Sequence, residues 1–166
     1  AQCGVAWALL RPDRLRVRAL HAAPWVSDEK IYATTDPAVD KPRHVQRTRP
    51  SVEAQEGQRR AYSELQRLVD LTGMATPVVA GAEPFLPDAS TPVVSPAVDS
   101  LIALAHEPRV DPLYVLGIAC ATNLASALLV DPTIAPKICV VWTSAQPSFW
   151  PGPVASYNLT LDVPAS

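Results

Sequence analysis

Polar residues that could bind a ligand follow three predicted strands of this 166-residue sequence. They lie at residues 24–27, at Thr122 and Asn123, and at residues 143–146, which end in Gln146. In open α/β sheets, ligands bind beyond the carboxyl ends of the strands. The spacing therefore predicts a polar pocket bordered by Thr122, Asn123 and Gln146, with Asn158 from a later segment as a further candidate.

The same positions carry none of the groups that usually perform hydrolysis. No aspartate or glutamate directly follows any of the three strands, whereas a hydrolase needs a general base, a nucleophile or a metal centre. Glycine-rich phosphate-binding and nucleophile-elbow motifs are also missing from the sequence. The pattern therefore assigns no catalytic residue, and it leaves open whether Thr122 and Asn123 bind a ligand or simply cap a helix.

Strands and helices alternate along the chain, and they must position these residues. The patterns typical of strands lie at residues 14–20, 77–81, 113–119 and 138–142. The patterns typical of helices lie at residues 5–10, 53–71, 95–105 and 124–130. Gly73 should end one helix and Ser95 should cap another. Such alternation predicts a parallel α/β sheet, with its continuous apolar strands covered on both faces.

Length and composition limit the classes of protein that the chain can represent. A chain of 166 residues is enough for one α/β domain, here spanning residues 1–166 with a long polar loop at 24–53. The net charge of -2 argues against a nucleic-acid binder built on positive charge. No segment is long enough to span a membrane and no signal peptide is visible, so we expect a cytoplasmic protein without a membrane partner.

Residues 112–132 resemble the strand, Thr-Asn and helix segment of the inosine/uridine-preferring nucleoside hydrolase family. Residues 137–142, and then 156–159 with Asp162, are similar to the next strand and the asparagine-bearing loop of that family. Upstream segments fit in the same order, at residues 5–17, 62–65, 77–81 and 95–105. The resemblance covers the whole chain except the basic part of the long loop.

The resemblance implies a Rossmann-like α/β fold, a mostly parallel sheet flanked by helices, which hydrolyses the N-glycosidic bond of ribonucleosides to ribose and free base. In this family a calcium ion held by N-terminal aspartates activates water and binds the ribose hydroxyls. The backbone carbonyl of the threonine in the Thr-Asn motif, here Thr122, is a further metal ligand. The asparagine of the later loop, here Asn158, contacts the ribose, and Asn123 and Gln146 would border the same site.

The sequence departs from the family pattern at several of these positions. The aspartate cluster would lie just before and at Ala1, and a His-Asp pair would lie beyond Ser166. Ser156 stands where the family has a ribose-binding glutamate, and residues 144–146 replace a Gly-Gly-Asn stretch. Since calcium takes six to eight oxygen ligands, we expect this chain alone to hold no calcium and to be inactive.

Two interpretations of the chain follow from these departures. The first is part of a nucleoside hydrolase that is active only at full length. The second is a non-catalytic relative that binds a nucleoside, ribose or a protein partner. Because a parallel sheet without its flanking strands exposes apolar edges, we also expect the chain to form a homo-oligomer or to aggregate.

Overall fold

The computed structural model describes residues 2–27, 51–144, 149 and 156–166. The strands within these ranges are β1 (Leu20–His21), β2 (Val78–Val79), β3 (Leu113–Gly117) and β4 (Ile138–Trp142). The helices are α1 (Gln2–Leu9), α2 (Ala54–Thr72), α3 (Pro96–His106), α4 (Thr122–Val130) and α5 (Tyr157–Leu161), with a 3-10 turn at Pro132–Lys137. Most of the predicted loop at 24–53 lies outside the described residues.

The described strands form two parallel pairs. Strand β1 pairs with β2 over two residues, with Leu20 opposite Val78. Strand β3 pairs with β4 over five residues, from Leu113 opposite Ile138 to Gly117 opposite Trp142. The chain therefore has the mixed α/β class with parallel pairing that the alternation predicts.

Two helix boundaries confirm predictions from local residue types. Helix α2 ends at Gly73, which has a left-handed φ of 65° and donates its N–H to Asp70 O. Helix α3 begins after Ser95, whose side chain accepts a hydrogen bond from Val98 N, and Pro96 follows in the first turn. No helix among the described residues is both long and apolar enough to cross a bilayer.

The first strand is much shorter than the alternation at residues 14–20 predicts. Only Leu20–His21 is a strand, because its partner β2 is equally short. Pro77 has no N–H with which to extend the pairing, and Ala80 O accepts a hydrogen bond from Ala97 N of α3 instead.

The prediction of a Thr122-Asn123 cap is wrong. Helix α4 begins at Thr122, so both residues lie in its first turn, and Ala121 occupies the cap position without a side-chain hydrogen bond. The side chains of Thr122 and Asn123 bond to other parts of the chain, as the next section describes. These long-range bonds replace the local capping that the sequence suggested.

The β3–β4 pair is covered on one face by described elements. Val115 and Ile138 pack against an apolar cluster that includes Leu101 of α3 and Ala127 of α4. On the other face Tyr114 remains 62% exposed, and Leu116 and Val141 are exposed as well. The prediction that these strands are covered on both faces is therefore wrong for the described residues, and self-association stays a prediction.

Candidate functional site

Helix α5 is held at the carboxyl ends of β1 and β4 by two side chains. Tyr157 Oη donates a hydrogen bond to Val26 O at 2.5 Å. Asn158 Nδ2 donates to Thr143 O at 2.7 Å. Asn158 Oδ1 has no hydrogen bond to any described residue, so this oxygen is free to accept one from a ligand.

The carboxylate of Asp162, directly after α5, is the most strongly bonded polar group at this edge. It is 1% exposed, and its Oδ2 accepts hydrogen bonds from Thr122 Oγ1 at 2.5 Å and Leu86 N at 3.1 Å. Its Oδ1 accepts from Ala165 N at 3.2 Å. The nearby N-terminus of α4 also favours a negative charge. Asp162 therefore holds three segments of the chain together.

Cys120 lies beside this carboxylate in a buried position. Its Sγ donates to Pro24 O at 3.2 Å and lies 3.2 Å from Thr122 Oγ1. Burial raises the pKa of the Cys120 thiol, and the charge of Asp162 adds to the rise. The thiol is therefore protonated at neutral pH, which suits a hydrogen-bond donor and not a nucleophile.

Asn123 joins the ends of β1 and β2. Its Nδ2 donates to Ala22 O at 2.8 Å, and its Oδ1 accepts from Ala82 N at 2.9 Å. Gly81 permits this close approach, since a Cβ at that position would lie 1.9 Å from Ala22 O. The Asn123 amide thus bonds to backbone on both sides, and a substrate contact by this residue stays a prediction.

The described residues do not fit a calcium ion. The carboxylate of Asp162 is the one that bonds to Thr122. Both of its oxygens already accept hydrogen bonds from the three donors described above, so they are not available to a metal ion. Within the described ranges, no three His, Cys, Asp or Glu side chains are grouped so that they could hold a metal. One threonine carbonyl falls far short of the six to eight oxygens that calcium takes. Calcium binding, as implied by the resemblance, stays a prediction.

The structure brings together three of the four residues that the sequence selected. Thr122, Asn123 and Asn158 lie at one edge of the strand pairs, whereas Gln146 lies outside the described residues. We use the term strand-end cluster for five residues: Cys120, Thr122, Asn123, Asn158 and Asp162. Sequence reasoning missed Asp162 as a member, because no local pattern links it to Thr122, forty residues earlier.

Comparison with models of protein families and with curated proteins found no significant match to this chain. The resemblance of the sequence segments to nucleoside hydrolases therefore stays a prediction.

Proposed function

We propose that this chain is a nucleoside hydrolase-like unit whose strand-end cluster binds the ribose of a nucleoside. The observation that carries the proposal is the position of Asn158, beside the end of β4, with an Oδ1 that accepts no hydrogen bond from a described residue. The proposal includes a Rossmann-like arrangement of the full sheet. It also includes a cytoplasmic location, in keeping with three free cysteines.

The Asn158 amide has the chemistry that a ribose hydroxyl requires. One N–H is held by Thr143 O, which fixes the orientation of the side chain. The oxygen and the second N–H can then accept from one hydroxyl and donate to another. Ser144 and Ser156, whose hydroxyl oxygens lie 3.0 Å apart, add further hydroxyl groups near the same strand end.

The described residues support binding of a nucleoside and not its hydrolysis. Hydrolysis of an N-glycosidic bond adds water across that bond, so it needs a group that takes a proton from water. Asp162 is buried and accepts three hydrogen bonds, and the thiol of Cys120 stays protonated. Neither is placed to act as a base.

Calorimetry with inosine, uridine and ribose tests the proposal. We expect weak, saturable binding that Asn158→Ala removes and that Thr160→Ala, on the exposed side of the same helix, retains. Absence of saturable binding at millimolar ligand would refute the proposal. A parallel assay should detect no base released from inosine or uridine, with or without calcium, and turnover would refute the restriction to binding.

A further inference from the structure

A cavity opens beside the end of β2. It has a volume of about 330 Å³ and opens between the first half of α2, the loop after β2 and the N-terminus of α3. Its lining comprises Gln58, Ala80, Gly81, Glu83, Pro84, Val93, Val94, Ser95 and Pro96. This volume is at the lower end of the range for ligand sites, about 300–1,000 Å³, so a small molecule would fill it.

Gln58 is the more deeply buried of two buried polar side chains in this cavity. Only 3% of the residue is exposed, yet its amide has no hydrogen-bond partner among the described residues. No fully occluded side-chain nitrogen or oxygen in the described ranges lacks a partner, so the Gln58 amide must face the open space of the cavity. Buried amides are normally paired, and this one is left with both a donor and an acceptor to offer.

Two further polar groups line the same cavity. Ser95 is buried, and its Oγ accepts from Val98 N while its own O–H has no acceptor among the described residues. Glu83 is exposed at the mouth of the cavity, and one of its oxygens accepts from Gln55 Nε2 at 2.5 Å. The cavity therefore combines an amide, a hydroxyl donor and a carboxylate with walls of valine and proline.

These groups discriminate between classes of small ligand. An ammonium group has only donors, so it can pair with the Gln58 oxygen and with Glu83 but leaves the Gln58 N–H groups and the Ser95 O–H without an acceptor. A carboxylate or phosphate carries a negative charge toward Glu83, which raises its energy in the cavity. A neutral hydroxyl both donates and accepts, and neighbouring hydroxyls can satisfy all three side chains.

We propose that the cavity bounded by Gln58, Glu83 and Ser95 is a binding site for a small neutral polyol. The site is separate from the strand-end cluster and does not depend on the function proposed for that cluster.

A titration with erythritol, followed by amide chemical shifts of the whole chain, tests the proposal. We expect saturable shifts at the residues that line the cavity, with a millimolar dissociation constant. Gln58→Leu should weaken binding about tenfold or more. Gln66→Leu, an exposed glutamine on the same helix, should leave it unchanged. Equal binding by wild type and Gln58→Leu, or no saturable shift in wild type, would overturn the proposal.

Further variants and ligands make the test decisive. If Gln58→Leu fails to fold, Glu83→Gln at the exposed mouth should still weaken erythritol binding, and unchanged affinity would overturn the proposal. Acetate or methylammonium binding as tightly as erythritol would overturn the ligand class. Loss of erythritol binding in Asn158→Ala, but not in Gln58→Leu, would place the polyol at the strand-end cluster instead.

Discussion

The amides of Asn123 and Gln58 are both buried, but they differ in what they bond. Asn123 uses its oxygen and one N–H on the backbone ends of β2 and β1. Gln58 lies across the β2 end, lines a cavity and has no hydrogen bond to the described residues. The Asn123 amide therefore stabilises the fold, whereas the Gln58 amide is available to bind a ligand in the cavity.

This difference separates polar groups that stabilise the fold from polar groups that can recognise a ligand. Polar groups are often found at strand ends, but many of them form hydrogen bonds with one another. A buried group without a partner is the stronger indication of a ligand, because leaving it unpaired destabilises the folded state. By this criterion Gln58 is more informative than Thr122 or Asn123.

The largest effect should come from removing the carboxylate of Asp162. Asp162→Ala leaves Thr122 Oγ1 and the N–H groups of Leu86 and Ala165 without their acceptor. We expect the free energy of unfolding to fall by about 3 kcal/mol, measured by urea denaturation. Asp111→Ala, at an exposed position, is the matched control and should change it by less than about 0.5 kcal/mol. Equal effects of the two variants would contradict a structural role for Asp162.

A smaller loss is expected at Asn123. Asn123→Leu removes both amide bonds to backbone, and it leaves Ala22 O and Ala82 N unpaired in a buried place. The free energy of unfolding should fall by about 2 kcal/mol in the same urea measurement. An unchanged midpoint would show that these two backbone groups find other partners, which would weaken the contrast with Gln58.

Replacing the Gln58 amide by leucine should have the opposite effect on the free energy of unfolding. Leucine removes an amide that has no partner among the described residues and little access to water, in a residue 3% exposed, and it keeps a side chain of similar size, so the free energy of unfolding should rise by up to about 1 kcal/mol. Gln66→Leu on the exposed side of α2 controls for the general effect of leucine on this helix. A loss as large as that of Asn123→Leu would mean that the two amides do not differ.

Helix ends were predictable from the sequence because their causes are local. Gly73 ends α2 with a left-handed backbone, and Ser95 followed by Pro96 starts α3, as expected from the residue types alone. The parallel pairing was also predictable, since strands that alternate with helices must return in the same direction.

Exposure and bonding partners were not predictable, because both depend on distant parts of the chain. Tyr114 and Leu116 have the composition of a doubly buried strand, yet the described helices cover only the opposite face. Thr122 bonds to Asp162, forty residues later, and no local pattern links the two. The choice of Thr122, Asn123 and Asn158 as site residues stays a prediction, and their hydrogen-bond partners had to come from the structure.

Asp131 is a less buried counterpart of Asp162, with 24% of its side chain exposed, and should give the smallest effect. Its carboxylate accepts from Thr133 N, Thr133 Oγ1 and His106 Nε2, and Lys137 Nζ lies 2.7 Å from the other nitrogen of that histidine. The bond from Thr133 Oγ1, followed by that from His106, lowers the pKa of Asp131 from 3.8 to about 2.

A lowered carboxyl pKa stabilises the folded state above the unfolded value, and this contribution disappears as the pH falls from 3.8 toward about 2. Asp131→Asn should therefore lower the urea midpoint slightly at neutral pH, where the carboxylate contributes fully, and flatten the decline of the midpoint over the acid range. The flattening should be partial, because Asp88 also has a pKa lowered to about 2 by Ser90 and Thr91. An identical acid profile in Asp131→Asn would mean that the hydrogen bonds of Asp131 contribute no stability, because water screens them completely. Asp131 would then differ from the buried Asp162 carboxylate.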